Sequence, residues 1–302
     1  MARDPDRAGC AAESRGRGEL MLGTASRVRR WLLVEQPGHW GREALHDSGF
    51  PRAVADRLEA LALAHRTRVV LIRRSAGPDR DDGPRAAFLV RSDGATRWAE
   101  RHEVDDPVDL LTIGLASLGS DTPPGLGEAV DGSIHLVCTN GRHDPCCADL
   151  GRPVVRALRE AGVPAMECSH IGGDRFAANI VCLPTGVYFG RVPPEAAARI
   201  VAEHDAGILD VEHYRGRSHL PPMAQAAEVL ARRELDERRV DALAFRSWEH
   251  HDAGATVVLD LDGGAVEVGV SRRRGSAEQL TCASAVSQPW EYALASLTVT
   301  SR

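Results

Sequence analysis

Along the first two thirds of the chain, short apolar runs alternate with helical stripes in an order that occurs twice. Trp31-Leu-Leu-Val-Glu35 is a continuous apolar run ended by Gln36-Pro-Gly38, which predicts a strand and then a turn. Pro51 opens a stretch to residue 65 in which Val54, Leu58, Leu61 and Ala62 share one face at helical spacing. Residues 69–72 predict a buried strand and 79–84 a charged loop. Residues 87–90 and 96–99, joined through Ser92-Asp-Gly94, predict a hairpin, and 107–118 a closing helix. After a Gly/Pro-rich stretch at 119–127 the order recurs: strand 134–137, helix 152–161, strand 165–167, hairpin 179–190 and helix 194–204.

The repeated β-α-β-β-β-α order fits a thioredoxin-like layer of sheet with flanking helices. The hairpins Phe88-Leu-Val-Arg-Ser-Asp-Gly and Val181-Cys-Leu-Pro-Thr-Gly also resemble each other, as an internal duplication would leave them. The expected chain is α/β in four parts: a flexible arm at 1–20, a thioredoxin-like α/β half without ligands at 21–127, a thioredoxin-like domain at 128–210, and a C-terminal α+β extension at 211–302. Within the extension, 224–235 predicts a helix with an Arg/Glu-rich face. Residues 256–261 and 265–270 around Asp262-Gly-Gly264 predict a hairpin, and 294–299 a last strand.

Charge narrows the chemistry. All 37 basic side chains are Arg, which removes lysine-based Schiff-base, Walker and kinase chemistry. A net charge of -6 without a long basic run argues against a nucleic-acid partner. No apolar stretch approaches the ~20 residues of a membrane span, and the polar N-terminus lacks a signal-like core, so a cytoplasmic location is expected. Seven cysteines, an odd number, are not expected to form a disulfide framework there.

Five of the seven fall between residues 138 and 182. A strand delivers Cys138 into the polar loop Thr139-Asn-Gly-Arg-His-Asp-Pro145, which returns Cys146 and Cys147 at the start of a helix. A second strand-to-loop crossing carries Cys168, His170 and Asp174 around Gly172-Gly173, where a backbone without Cβ atoms can pass close to a bulky group. Zinc ribbons need two close Cys pairs, whereas eight residues separate Cys138 from Cys147. The plant-type C-x4-C-x2-C spacing is also absent. A long first spacing followed by the short His170-x3-Asp174 matches a thioredoxin-like ferredoxin, in which two loops each offer two ligands.

Cys138-Thr-Asn-Gly-Arg-His-Asp-Pro-Cys-Cys147, Ser169-His-Ile-Gly-Gly-Asp-Arg-Phe-Ala177 and Leu183-Pro-Thr-Gly-Val-Tyr-Phe-Gly-Arg191 resemble the sucrase/ferredoxin-like family. So do the flanking blocks Trp31-Leu-Leu-Val-Glu-Gln-Pro-Gly-His-Trp-Gly41 and Tyr214-Arg-Gly-Arg-Ser-His-Leu-Pro. The resemblance makes 128–210 a thioredoxin-like ferredoxin domain and implies a [2Fe-2S] cluster held by two cysteines and two histidines. Carried over, Cys138 and Cys147 take the cysteine positions and His170 the first histidine position. Asp174 stands at the second, a harder ligand than imidazole, and Cys168 is the thiolate that could replace it. The implied function is one-electron transfer or redox sensing with a redox partner protein. Two other readings stand beside it: a thiol oxidoreductase using Cys146 or Cys147 near His143, and an interaction protein with a structural zinc. Cys10, Cys146 and Cys282 are expected as bystanders and Cys182 as a buried hydrophobe. Arg142, Arg175 and Arg191 are expected to solvate the surface, and His250 and His251 to lie in a loop.

Overall fold

A computed structural model describes residues 9–74 and 84–301. The first eight residues of the expected arm, and 79–83 of the expected charged loop, lie outside the described residues. Within the arm, α1 (Cys10–Gly16) buries Cys10, Ala11 and Ser14. The first half follows as β1 (Arg30–Glu35), α2 (Ala44–Asp47), α3 (Arg52–Ala64), β2 (Arg68–Arg74), β3 (Arg85–Asp93), β4 (Thr96–Val104) and β5 (Glu128–Ala129). The second half contains β6 (Ile134–Cys138), α4 (Pro145–Glu160), β7 (Ala165–Cys168), β8 (Ile180–Leu183), β9 (Val187–Phe189), α5 (Pro194–Asp205) and β10 (Tyr214–Arg217). The closing helix expected at 107–118 is instead two 3-10 turns, Pro107–Leu111 and Leu115–Gly119. Gly114, in the left-handed region at φ +86°, separates them and ends the helical path.

All ten strands form one sheet in the order β10-β9-β8-β6-β7-β2-β1-β3-β4-β5. Read outward from its middle, each half has a parallel pair made by a strand-helix-strand crossover (β2 with β1, β7 with β6) and then antiparallel strands. The halves join antiparallel through Ile72 opposite Cys168, Arg73 opposite Glu167 and Arg74 opposite Met166. Trp31, Leu32, Leu33 and Val34 of β1 are all buried, as expected for a strand covered on both faces. Strand alternation divides them: Leu32 and Val34 pack with Val54 and Leu58 of α3, while Trp31 and Leu33 face the opposite core. That second core also holds Leu136, Cys138, Cys147 and Cys168.

Beyond β10 lie α6 (Pro222–Leu235), β11 (Ala244–His251), β12 (Gly254–Leu261), β13 (Gly264–Arg274), the short pair β14 (Glu278–Gln279) and β15 (Val286–Ser287), and β16 (Trp290–Ser301). Four of these strands form a separate sheet, β11-β12-β13-β16, whose Val257, Leu259, Val266 and Val268 share a core with Ala224, Ala227 and Ala231 of α6. His250 and His251, expected in a loop, pair with β12 as the end of β11. Every β11 side chain is exposed, so the strand has no apolar pattern to betray it. Of the Arg and Glu residues of α6, Arg233 and Glu234 are exposed but Glu228 and Arg232 are buried: Glu228 accepts from Arg217 Nε at 3.1 Å, Arg232 Nη2 at 2.9 Å and the Tyr214 hydroxyl at 2.9 Å. Burial alone would raise the Glu228 carboxyl, but the Arg217 and Arg232 guanidiniums hold it below its usual value.

Candidate metal centre

β6 and β7 are parallel and in register, so Cys138 and Cys168 end side by side where both strands leave the sheet. The loop after Cys138 turns tightly, because the amides of His143 and Asp144 both donate to the Asn140 carbonyl. Asp144 then caps α4 by accepting from the Cys146 amide at 2.9 Å, with Pro145 in the first turn. Cys147 follows in that turn, its thiol donating to Asp174 Oδ1 at 3.1 Å. Gly151 lets α4 lie across the end of β6; a Cβ there would sit 2.2 Å from the Cys138 carbonyl oxygen.

The second loop is held from the first half of the sheet. The Ser169 amide donates to the Leu71 carbonyl, the Leu71 amide to Ser169 Oγ, and Arg68 Nη2 to the His170 carbonyl at 2.8 Å. Ser26 Oγ donates to the Ile171 carbonyl at 2.7 Å. Gly172 and Gly173 have φ of +96° and +83°, and added Cβ atoms would meet Ser26 Oγ and the Arg215 guanidinium. The close approach expected of this pair is thus made to protein side chains. Arg215 is fully buried and donates to Asn179 Oδ1 at 2.7 Å and to the Gly172 carbonyl at 3.2 Å, which fixes the loop.

The five expected site residues meet here. The ligating atoms of Cys138, Cys147 and His170 lie within 4.8 Å of one another, and those of His143, His170 and Asp174 do likewise. Cys138 is held well below the ordinary thiol value by its neighbours, Cys147 first and then Cys168 and His170. The same contact with Cys138, together with burial, pushes Cys147 up, and burial pushes Cys168 up. Burial alone would lower the His170 imidazole, but Asp174 and Cys138 outweigh it and bring it up to about 9. His170 Nδ1 lies 2.9 Å from Asp174 Oδ1 but without hydrogen-bond alignment, so this buried nitrogen has no hydrogen-bond partner.

His143 is the residue the sequence reading placed only near a thiol. Its ring stacks on His170 with centroids 3.6 Å apart, and its Nε2 lies 3.7 Å from Asp174 Oδ2. A cavity of about 480 Å³ opens beside these two rings, with Arg42, His46, Arg68 and Asn140 also on its wall. Arg175 and Arg191, expected to solvate the surface, instead lie over the Phe176 ring, and Arg175 pairs with Glu19 at 2.7 Å. Cys182 is buried as expected, with His135 Nδ1 3.4 Å from its sulfur.

The family model described as Sucrase/ferredoxin-like matches residues 21–216, both halves of the ten-stranded sheet up to β10. The chain belongs to the sucrase/ferredoxin-like family. Two solved structures of a thioredoxin-like [2Fe-2S] ferredoxin from Aquifex aeolicus are similar to part of this family member. One, a cysteine-to-serine variant, is 20% identical over 28% of this chain and 99% of that chain, with a TM-score of 0.25. The other is 20% identical over 30% of this chain and 97% of that chain, with a TM-score of 0.26. No curated protein matches the sequence. Among the described residues, no helix is long and apolar enough to cross a membrane.

Proposed function

We propose that this sucrase/ferredoxin-like protein is a cytoplasmic iron–sulfur protein, binding a [2Fe-2S] cluster for one-electron transfer or redox sensing with a partner protein. The reading rests on one observation: the ligating atoms of Cys138, Cys147 and His170 converge within 4.8 Å of one another. Soft thiolates and imidazole are the donors that iron–sulfur centres use, so the residues present fit the group. Cys138, Cys147 and His170 would hold it, with Cys168, the register partner of Cys138, as fourth donor ahead of Asp174. When bound, the cluster supplies a one-electron couple, and imidazole ligation sets it above an all-thiolate one. Asp174 then acts on His170, orienting the ring and favouring its protonated form before loading. The cavity beside His143 and His170 is the face from which a redox partner would approach. The internal duplication belongs to the same reading: residues 21–127 are a thioredoxin-like copy that keeps the sheet, has no ligands and buttresses the second loop.

Purified anaerobically, the chain should be reddish-brown, with about two iron and two acid-labile sulfides. Dithionite should bleach the colour and produce an EPR signal. Colourless protein from cells supplied with iron and sulfur would refute the cluster. Cys168→Ser should deplete iron and sulfide more than Asp174→Ala does; the opposite order would make Asp174 the ligand.

A further inference from the structure

A second group of thiols, outside the pocket just described, is assembled from three remote parts of the chain. Cys10 begins α1, Asp144 and Cys146 stand at the start of α4, and Cys282 lies between β14 and β15. The ligating atoms of all four lie within 4.8 Å of one another. Cys146 Sγ is 3.6 Å from Cys282 Sγ, and Cys10 Sγ is 3.5 Å from Asp144 Oδ2. Cys10, Asp144 and Cys146 are buried, and Cys282 forms the one partly open side.

We infer that Cys10, Cys146, Cys282 and Asp144 form a structural site for a single zinc ion. A tetrahedron with zinc–sulfur bonds of ~2.3 Å and a zinc–oxygen bond of ~2.0–2.2 Å has edges of about 3.8 Å between sulfurs and about 3.6 Å from sulfur to oxygen. The two distances above come within ~0.2 Å of those edges before any metal is added. That spacing suits one ion and leaves no room for bridging sulfides. Backbone amides already point at the sulfurs: Cys10 N donates to Cys282 Sγ at 3.4 Å, and the Ala11 amide donates to Cys146. Such bonds offset the negative charge of three thiolates and a carboxylate around a divalent cation. Asp144 is fixed by accepting from the amides of Cys146 at 2.9 Å and Cys282 at 2.7 Å.

Cys146 and Cys147 are consecutive, so the first turn of α4 serves two sites. Zinc would staple α1 and the 280–284 loop onto the turn that presents Cys147. Each zinc–thiolate formed releases one proton, with no change of oxidation state.

The test uses the full chain, incubated with ZnCl2 and dialysed against metal-free buffer. About one zinc per chain should remain, and K-edge absorption of the wild type should show three sulfurs at ~2.3 Å and one oxygen. Cys282→Ser, at the partly open side, should lower retained zinc at least tenfold, and Cys138→Ser should retain it in full. This separates the inference from the cluster reading, which the same Cys138→Ser protein tests by its iron. The inference is overturned by wild type that retains no zinc, by zinc lost with Cys138→Ser and not with Cys282→Ser, or by a Cys146–Cys282 disulfide in freshly isolated protein.

Discussion

Around Glu228 one buried carboxylate accepts from two guanidiniums and a phenol, and Arg217 and Arg232 spend further donors on the Val240 carbonyl. Around Cys138 the groups are differently matched: three buried thiols and a buried carboxylate meet two stacked, partly buried imidazoles. Both clusters carry the desolvation cost of polar groups in a core. The first offsets it with protein partners, so its role is structural. The second brings soft thiol and imidazole groups within 4.8 Å of one another with one carboxylate among them, the donor set proposed above to hold a cluster.

Breaking the contrast at the thiol cluster should have the largest effect. Cys138→Ser or Cys147→Ser should abolish bound iron and sulfide while leaving the far-ultraviolet circular dichroism unchanged. Retention of the full iron content would remove both residues from the ligand set. Glu228→Ala should do the reverse: it leaves two buried guanidiniums uncompensated, costing about 3–5 kcal/mol in urea denaturation. Iron per folded chain should stay constant in that variant.

Acid should sharpen the comparison at a smaller scale. His204 and His219 are each pulled down to about 4, by burial first and then by His135 and Arg217 respectively. Unfolded, each titrates near ~6.5, so between that value and about 4 the unfolded chain binds protons that the native one refuses. Stability should therefore fall as pH drops through this window, by on the order of 2 kcal/mol per histidine at pH 5. His219→Gln should remove one share of the loss; an unchanged slope of stability against pH would show that His219 is not excluded from protonation. The smallest effect belongs to Arg97, which grips Asp241 at 2.6 and 2.7 Å on the surface. Arg97→Ala should cost below about 1 kcal/mol and change no metal content.

Regular elements with strong apolar patterns were legible in the sequence. The runs at β1, β2 and β6, the hairpin turns and the stripe of α3 appear where their periodicities put them. The meeting of Cys138, Cys147, Cys168, His170 and Asp174 was legible too, because two strand-ending loops carry them. Elements whose residues are stabilised by distant partners were not. β10 reads Tyr-Arg-Gly-Arg, and its arginines become core residues only when Glu228, Asn179 and Thr24 reach them. The meeting of Cys10 with Cys282 was not legible because 272 positions separate them, a distance no local pattern spans. The stacking of His143 on His170 was not legible either, because 26 residues separate them in sequence and no motif links them.

The seam between β2 and β7 is only three residue pairs long, yet Cys168 is one of its members. Cutting the gene between the halves would therefore not release two self-sufficient modules. The downstream product would carry β7 as a naked border strand, an invitation to stick to its own copies. Any lineage that shed the first half of the sheet would have had to find another cover for that border.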